Sequence, residues 1–324
     1  MKKYDVLAIG NAIVDISASL SDAELKESGV QKGAMTLIDI DAANRLNALV
    51  AGRSTQICGG SAANTVAGIA SLGGTPVFIG KVADDDLGRA FAGDMRKSGV
   101  AFESRPLESG LPSARCFVMV SPDAERTMNT YLGACGSLTD SDIDESVVAQ
   151  TELVYLEGYL WDKESAKSAM MKAIKLAKKH GIPCAFTLSD SFCVKRHRAD
   201  FLSLIQNGAK IIFANEEEIK SLYQTNSVES AVSSIQRDMD LAVITLGAKG
   251  AMAVSKTEIV SVDAIKPAKV VDTTGAGDMF AAGFLYGYTR KNDLKTCLEI
   301  GAIAASEIIS HFGARPQTPL ATLI

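Results

Sequence analysis

The segment from Val271 to Phe280 places glycines, hydroxyls and carboxylates immediately before a stretch that reads as a packed helix. Gly275 and Gly277 would lie at the N-terminus of that helix, where free N–H groups and the positive end of the helix dipole favour an anion. Asp278, in the first turn, has a carboxylate that can accept a proton from a bound ligand. An acidic residue there is also common as plain electrostatic complementation. The segment alone therefore leaves a functional site and simple capping both open.

Composition limits the class of protein. The chain has 324 residues, of which 47% are hydrophobic, so it can build one large α/β domain or two smaller ones. The net charge of −5 argues against nucleic acid as a partner. The N-terminus carries no apolar run long enough for a signal peptide, and the six cysteines show no C-x-x-C spacing. We expect a cytoplasmic protein that binds neither nucleic acid nor a membrane.

Several familiar sites are missing from the pattern. The three histidines lie far apart, and neither H-E-x-x-H, G-x-S-x-G nor a Walker A loop occurs. A dinucleotide-binding fingerprint would need a third glycine where the chain has Phe280, and it should lie near the first strand. Metal hydrolase, serine hydrolase and P-loop chemistry are therefore disfavoured, and an NAD-dependent oxidoreductase remains a weak alternative.

The order of apolar segments predicts strands alternating with helices, which is typical of a three-layer α/β protein with a mostly parallel sheet. The predicted strands are residues 4–9, 76–80, 101–105, 153–156, 184–188, 211–214 and 241–246. The predicted helices are residues 42–50, 86–98, 166–180 and 201–206, the first of them capped by Asp41. A further helix of small residues begins within residues 58–64 and ends at residue 71. We expect one domain over residues 1–324.

Two insertions interrupt the alternation, at about residues 16–40 and 111–132. The first contains a strand near residues 35–38, and the second reads as a hairpin of residues 114–120 and 127–132 around a turn signal. Pairing of these strands would form a small sheet that stands off the main body as a lid. Its exposed edge can also pair with a second subunit, so monomer and homodimer both remain open.

Polar or glycine-rich turns follow three of the predicted parallel strands, near residues 11, 215 and 247. Because parallel strands place their carboxyl ends at one edge of a sheet, these turns can converge with Asp278. Each has a simpler interpretation as well. Asn11 and Asp15 suit an ordinary turn, and three glutamates from residue 216 suit a helix N-terminus.

Two motifs together resemble a known family. Residues 59–64 read GGSAAN and residues 272–278 read DTTGAGD, and both are similar to the signatures of the ribokinase-like (PfkB) carbohydrate and nucleoside kinases. The resemblance extends over nearly the whole chain. It implies a three-layer α/β/α ribokinase-like fold with a small β-sheet lid, and transfer of the γ-phosphate of ATP to a primary hydroxyl.

The resemblance also implies roles for the second motif. Asp278 matches the catalytic base of the family, and Gly275, Ala276 and Gly277 match the anion hole that binds the transferring phosphoryl group. Asp272 and the carbonyl of Thr274 resemble half of a monovalent-cation site, which would hold K⁺.

On the nucleotide side, the resemblance places Asn215 and Glu218 near Mg²⁺ and the phosphates, with Glu218 reaching the metal through water. Thr245, Gly247 and Gly250 would flank the ATP.

On the acceptor side, the positions that hold sugar hydroxyls in the family match a set of polar and glycine residues. A vicinal diol suits such a set, because a carboxylate can accept hydrogen bonds from both hydroxyls and an amide can both donate and accept. This set is Asn11, Asp15, Gly59, Gly60 and Asn64.

The choice of acceptor depends on the first strand and the first lid strand, which look like those of adenosine kinases. Apolar Ile13, Leu37 and Met128 suit a flat purine ring, although such residues are also ordinary packing. Arg115 and Arg126 leave a phosphorylated or acidic sugar open. We therefore expect the 5′-OH of adenosine as acceptor, giving AMP. The alternatives are a sugar kinase similar to ribokinase, fructokinase or ketodeoxygluconate kinase, and a nucleoside or sugar sensor without catalysis.

Overall fold

The computed structural model describes residues 2–108, 110–123 and 125–324. In these ranges the strands are β1 Tyr4–Ile9, β2 Ile13–Ser19, β3 Met35–Leu37, β4 Thr55–Gly59, β5 Val77–Ile79, β6 Ala114–Val120, β7 Arg126–Tyr131, β8 Thr151–Glu157, β9 Cys184–Thr187, β10 Ile211–Asn215, β11 Leu241–Thr245, β12 Ala251–Ser255 and β13 Ile259–Val262. The helices are α1 Asp22–Ser28, α2 Ile40–Leu49, α3 Ser61–Ser71, α4 Asp86–Lys97, α5 Glu145–Ala149, α6 Glu164–Lys179, α7 Ser191–Asn207, α8 Glu216–Tyr223, α9 Val228–Asp238, α10 Ala276–Thr289 and α11 Leu294–Ile308.

The large sheet has the order β13-β12-β11-β10-β9-β8-β1-β5 within the described ranges. The strands from β5 to β11 are parallel, and β12 and β13 continue the sheet antiparallel. The parallel arrangement brings the carboxyl ends of β1, β8, β10 and β11 to one edge. The predicted α/β class and mostly parallel sheet are confirmed, whereas the sequence reading did not contain β12 and β13.

Alternating side chains of the parallel strands supply two cores, one on each face of the large sheet. Leu7 and Ile9 of β1 pack with the helices α6 and α7, whereas Val6 and Ala8 pack with α3 and α10. All four side chains are fully buried. Helices therefore cover both faces, which gives the three layers expected of this class.

A small sheet with the order β3-β7-β6-β2-β4 lies beside the large one. Helices α1 and α2 cover one face of it, where Ile16 and Phe117 belong to a separate apolar cluster. The opposite face carries Asp15, Leu37 and Met128. Asp15 and Leu37 lie in one row of paired residues across β2, β6, β7 and β3, and Met128 lies two residues from that row on β7, so its side chain points to the same face. The small sheet therefore has one covered face and one face that belongs to the candidate site.

Three local predictions were wrong. Residues 101–105 do not form a strand, because only Ala101 bridges to β5 before Phe102 turns inward and packs on Phe78 and Phe91. Asp39, not Asp41, caps α2 by accepting a hydrogen bond from the Ala42 amide at 2.8 Å. The residues after Asn11 do not form a turn, since β2 begins at Ile13. The turn expected between β6 and β7 includes residue 124, which lies outside the described residues.

Among the described residues, no helix combines the length and apolar content that crossing a membrane requires. All six cysteines are free thiols, and all but Cys58 are buried. The expected cytoplasmic location stays a prediction.

The helix that carries Asp278 depends on Phe284, which is fully buried and meets Phe213 of β10 edge-on, with ring centroids 5.6 Å apart. Phe284→Ala should lower the free energy of unfolding by about 3–5 kcal/mol, because it leaves a cavity between α10 and the sheet. Urea unfolding monitored by circular dichroism measures the change. Met171→Ala, on the exposed side of α6, is the control and should change it by about 0.5 kcal/mol or less. Equal effects of the two substitutions would contradict this packing.

Candidate active site

Asp278 lies in the first turn of α10 and faces the first turn of α3. Its Oδ1 accepts a hydrogen bond from Ser61 Oγ at 2.6 Å, and its Oδ2 accepts one from Asn64 Nδ2 at 2.9 Å. Burial raises the pKa of Asp278, while these two donors and the charge of Arg315 act in the opposite direction. Asp278 is therefore a carboxylate of raised basicity, fixed by donors from another helix.

The turn before α10 needs glycine at position 275. Gly275 has φ of 80°, and a Cβ added there would lie 2.8 Å from the Cβ of Ala314. The first-turn N–H groups of α10 have no acceptor within the helix, although the amide of Ala276 donates to the carbonyl of Thr273 at 3.2 Å. Gly277 is exposed at the same place. This helix start can therefore accept an anion beside Asp278.

Asn11 follows β1 and is 3% exposed. Its Nδ2 donates to Oε1 of Glu157 at 2.8 Å, and Oε2 of Glu157 accepts from the amide of Ala62 at 2.9 Å. Burial raises the pKa of Glu157 to about 7, against the effect of these donors. A Cβ on Gly10 would lie 2.5 Å from Oε2, so the backbone passes close to this carboxylate. Glu157 therefore joins the end of β1 to the start of α3.

Gly59 and Gly60 allow the start of α3 to approach β1 and β2 closely. A Cβ on Gly59 would lie 2.8 Å from Oδ2 of Asp15. Gly60 has φ of 96°, and a Cβ there would collide with the carbonyl oxygen of Asn11. A side chain at either position would displace the two polar residues predicted to bind an acceptor.

The face of the small sheet that carries Asp15 is unusually apolar for an exposed surface. Met35, Leu37, Ile57 and Met128 are between 37% and 47% exposed. All four stand on this face, by their register with Asp15 and its neighbours. A contiguous exposed apolar patch of this kind marks a ligand or partner surface.

Polar groups surround this apolar face. Burial raises the pKa of Asp15 to about 6, against the lowering effect of Arg126 and Arg315. Oδ1 of Asn64 is buried without a hydrogen-bond partner among the described residues. A buried acceptor of this kind needs a donor, and a ligand hydroxyl can provide one. Ile13, half-buried at the start of β2, completes this wall of the site.

Asp272 and Thr274, the residues expected to bind a monovalent cation, contact an arginine of the small sheet. Nη1 of Arg126 donates to Oδ1 of Asp272 at 2.6 Å and also contacts Oγ1 of Thr274. The amide of Gly313 donates to Oδ2 of Asp272 at 3.2 Å. The segment around residue 313 therefore meets this carboxylate with an N–H group.

The two arginines of the hairpin lie on opposite faces of the small sheet. Arg115 donates to Oδ1 of Asn44 at 3.0 Å and lies over the ring of Tyr131, on the face covered by α2. Of these two arginines, Arg126 is the one on the same face of the small sheet as Asp15. Arg115 therefore does not contribute to an acceptor site on that side.

Thr245, Gly247 and Gly250, three of the five predicted nucleotide residues, border a cavity of about 680 Å³ at the start of α10. Asn215 and Glu218 are not among its described lining residues. Its lining includes Thr245, Gly247, Gly250, Thr273, Ala276, Gly277 and Phe280. The cavity wall is mainly apolar and also includes Ala302 of α11 and Ile309, the residue after it. Apolar cavities of this size are typical small-molecule sites, and the role of these residues in binding ATP stays a prediction.

Asn215 and Glu218 stand at the entrance of α8 and form a capping box. Nδ2 of Asn215 donates to Oε1 of Glu218 at 2.6 Å, and the backbone N–H of Asn215 donates to Oε2 of Glu218 at 3.0 Å. Burial raises the pKa of Glu218 to about 7. In the described part of the chain, no group of three or more His, Cys, Asp or Glu side chains could hold a metal ion. Contact of Glu218 with Mg²⁺ through water remains a prediction.

Sequence reasoning missed three residues of this site: Ser61, Glu157 and Arg315. Glu157 stands at the carboxyl end of a predicted parallel strand, so the rule applied to residues 11, 215 and 247 could have found it. Ser61 lies inside the quoted GGSAAN motif but was not singled out. Arg315 donates to the carbonyl oxygens of Ala63 and Cys58, at 2.6 and 3.2 Å, and no local pattern indicates this.

Comparison with known proteins identifies the relatives of this chain. Residues 33–321 match the model of the pfkB family carbohydrate kinases. The crystal structure of adenosine kinase from Sinorhizobium meliloti is 49% identical, with a TM-score of 0.93 and coverage of 99% of this chain and 98% of that one. A probable sugar kinase from Rhizobium etli is 44% identical over 100% of this chain and 98% of that one, with the same TM-score. The 5-dehydro-2-deoxygluconokinase of Bacillus subtilis is 28% identical, covering 99% of this chain and 94% of the relative.

Glu157 provides a test of this site that needs no ligand. Burial raises the pKa of Glu157 from 4.5 to about 7, so between these pH values the folded protein keeps a proton that the unfolded chain releases. The free energy of unfolding therefore falls as the pH rises from about 4.5 to 7. Glu157→Gln removes the titration. As the pH rises from 5 to 8, the wild type should lose about 2 kcal/mol more of its free energy of unfolding than the variant does.

Urea unfolding at a series of pH values measures this difference. Glu152→Gln is the matched control, since Glu152 lies on the same strand with its side chain partly exposed. Parallel pH profiles for Glu157→Gln and the wild type would show that Glu157 does not titrate in this window.

Proposed function

Because the chain belongs to the pfkB family of carbohydrate kinases, we propose that it transfers the γ-phosphoryl group of ATP to the 5′-OH of adenosine, giving AMP and ADP. The observation that carries this proposal is the place of Asp278. Its carboxylate contacts the acceptor side through Ser61 and Asn64, while its neighbour Gly277 lines the nucleotide cavity. Asp278 therefore stands at the junction of two compartments, where a hydroxyl and a phosphate would meet.

The reaction follows from this placement. The acceptor oxygen forms a bond to the γ-phosphorus as the bond to the β,γ-bridging oxygen breaks, and the hydroxyl proton passes to Asp278. Burial gives Asp278 the basicity for this step. The N–H groups of Gly275 and Gly277 would stabilise the charge on the phosphoryl oxygens, and that of Ala276 would join them by leaving the carbonyl of Thr273. Mg²⁺ would enter with the nucleotide phosphates, with Glu218 reaching it through water.

The acceptor's primary hydroxyl would take the place of Ser61 Oγ on Oδ1 of Asp278, because both are hydroxyl donors. The ribose diol would then contact Asp15 and the unpaired Oδ1 of Asn64. Glu157 would hold Asn11 in position for the same ring. The small sheet would exclude water, which otherwise competes as an acceptor.

The apolar face of the small sheet favours a nucleoside over a free sugar. Met35, Leu37, Ile57 and Met128 offer no hydrogen bonds, so they suit a flat base and leave a polyhydroxylated ligand unsatisfied. The 49% identical relative from Sinorhizobium meliloti, named an adenosine kinase, supports the same acceptor.

A sugar kinase is the second candidate. The relative from Bacillus subtilis is named a 5-dehydro-2-deoxygluconokinase, and Arg126 puts a cation on the acceptor side of the small sheet. ATP-dependent product formation over a panel of nucleosides, ribose, fructose and 5-dehydro-2-deoxygluconate separates the two, with mass spectrometry identifying each product. The highest kcat/KM for a free sugar would overturn the adenosine assignment while leaving the kinase chemistry intact.

Replacement of the base tests the chemistry itself. Asp278→Asn keeps the shape and the contact with Ser61, but it cannot accept the proton, so kcat should fall by about 10²–10⁴-fold with little change in binding. Steady-state kinetics and calorimetric titration of ATP measure the two effects. Asp86→Asn, an exposed residue in the first turn of α4, is the matched control. Normal turnover in Asp278→Asn would exclude Asp278 as the base.

Replacement of an apolar residue tests the acceptor class. Met128→Gln keeps the length of the side chain but places a polar group against the base, so KM for adenosine should rise by about 10-fold while kcat changes little. Gln56→Ala, on β4 at the other edge of the same sheet and directed to the opposite face, is the control. An unchanged KM in Met128→Gln would mean that the base does not contact this face.

A further inference from the structure

Asp272 is a buried carboxylate whose hydrogen-bonding capacity is taken up by donors. Its Oδ1 accepts from the amide of Thr274 at 3.0 Å, from Oγ1 of Thr274 at 2.7 Å and from Nη1 of Arg126 at 2.6 Å. Its Oδ2 accepts from the amide of Gly313 at 3.2 Å. A carboxylate offers about four lone-pair sites, so little capacity remains for a metal ion.

A monovalent cation does not fit this arrangement. A K⁺ ion needs several oxygen ligands with free lone pairs, whereas the groups that bond to the carboxylate of Asp272 are two amide N–H groups, a hydroxyl that donates to it, and a guanidinium that already carries a positive charge. The side chain of Asp272 is only 6% exposed, and that of Arg126 is 34% exposed. A cation placed beside Oδ1 would be repelled by the charge of Arg126 at short range.

Arg126 supplies the charge that a bound cation would otherwise supply. A guanidinium stays protonated at every pH of interest and matches a carboxylate geometrically. Asp272 lies three residues before Gly275, the residue that begins the predicted anion hole. Donors from Thr274, Gly313 and Arg126 therefore occupy the carboxylate of Asp272 at the place where a metal ion would bind it.

We propose that Arg126 is a built-in counter-cation for the turn from Asp272 to Gly275, and that this kinase works without a monovalent metal ion. The proposal rests on the proposed kinase function, since it concerns the turn that would bind the transferring phosphoryl group. Arg126 is the first residue of β7, in the small sheet, whereas Asp272 precedes α10. The charge therefore reaches the turn only when the small sheet lies in its present position over the site.

The neighbouring charges fit this role. The charge of Arg126 also opposes the rise that burial causes in the pKa of Asp15. A single guanidinium therefore acts on a carboxylate of the acceptor side and on the carboxylate of the turn. Arg315, the other cation near Asp15, is committed to the carbonyl oxygens of Ala63 and Cys58 and to Asp94. Arg315 therefore cannot replace Arg126 at Asp272.

The experiment compares the wild type, Arg126→Lys and Arg126→Ala in potassium chloride and in tetramethylammonium chloride at equal ionic strength. Two readouts are measured: steady-state activity, and the thermal unfolding midpoint without substrate. The wild type should show the same activity in both salts, within about 2-fold, and the same midpoint, because its counter-charge is covalently attached. Arg126→Ala should lose about 10-fold or more in kcat in tetramethylammonium. Arg126→Lys should retain more activity than Arg126→Ala.

Arg126→Ala removes the repelling charge and frees a lone pair on Oδ1 of Asp272, so potassium should raise both the midpoint and the activity of this variant above the values in tetramethylammonium. Arg115→Ala is the matched control, since it removes the same charge from the opposite face of the same sheet and should show no potassium-specific effect. The midpoint needs no turnover, so it tests the counter-cation even if the proposed acceptor is wrong.

Two results would overturn the proposal. One is activation or stabilisation of the wild type by potassium over tetramethylammonium. The other is Arg126→Ala with the activity and midpoint of the wild type in tetramethylammonium, which would show that Asp272 needs no counter-charge.

Discussion

The contact between the first turns of α3 and α10 determines most of the candidate site. Asp278 accepts hydrogen bonds from Ser61 and Asn64, and the two helices can approach because small residues line their interface. A Cβ on Gly68 of α3 would lie 2.7 Å from the Cβ of Ala282. A larger side chain there would separate the helices and move the carboxylate away from its donors.

The site concentrates negative charge in a buried place, and its arginines balance that charge. Burial raises the pKa values of Asp15, Glu157, Glu218 and Asp278. Arg126 and Arg315 act against the shift at Asp15, and Arg315 acts against the shift at Asp278. A site with this balance can keep a base ionised and still be basic enough to accept a proton.

Much of this architecture was predictable, because its signals are local. The alternation of strands and helices indicated the parallel sheet, and the glycine turn before Asp278 indicated a helix start that could bind an anion. Asp15 shows where local signals fail. The residues after Asn11 suit a turn, but pairing of β2 with β4 and β6, which lie far away in sequence, makes them a strand. Arg126 belongs with Asp272 for the same reason, since only the folded chain brings residues 146 positions apart into contact.

The site is assembled from segments that lie far apart in the sequence. Asn11 and Asp15 come from the first two strands, whereas Gly313 and Arg315 hold Asp272 and the start of α3 from a segment made some three hundred residues later. A ribosome therefore releases almost the whole large sheet before it adds the residues that complete the pocket. A nascent chain that stops before Ala314 would lack the neighbour that packs against Gly275, so competence for ligands should arise only after this segment has been made.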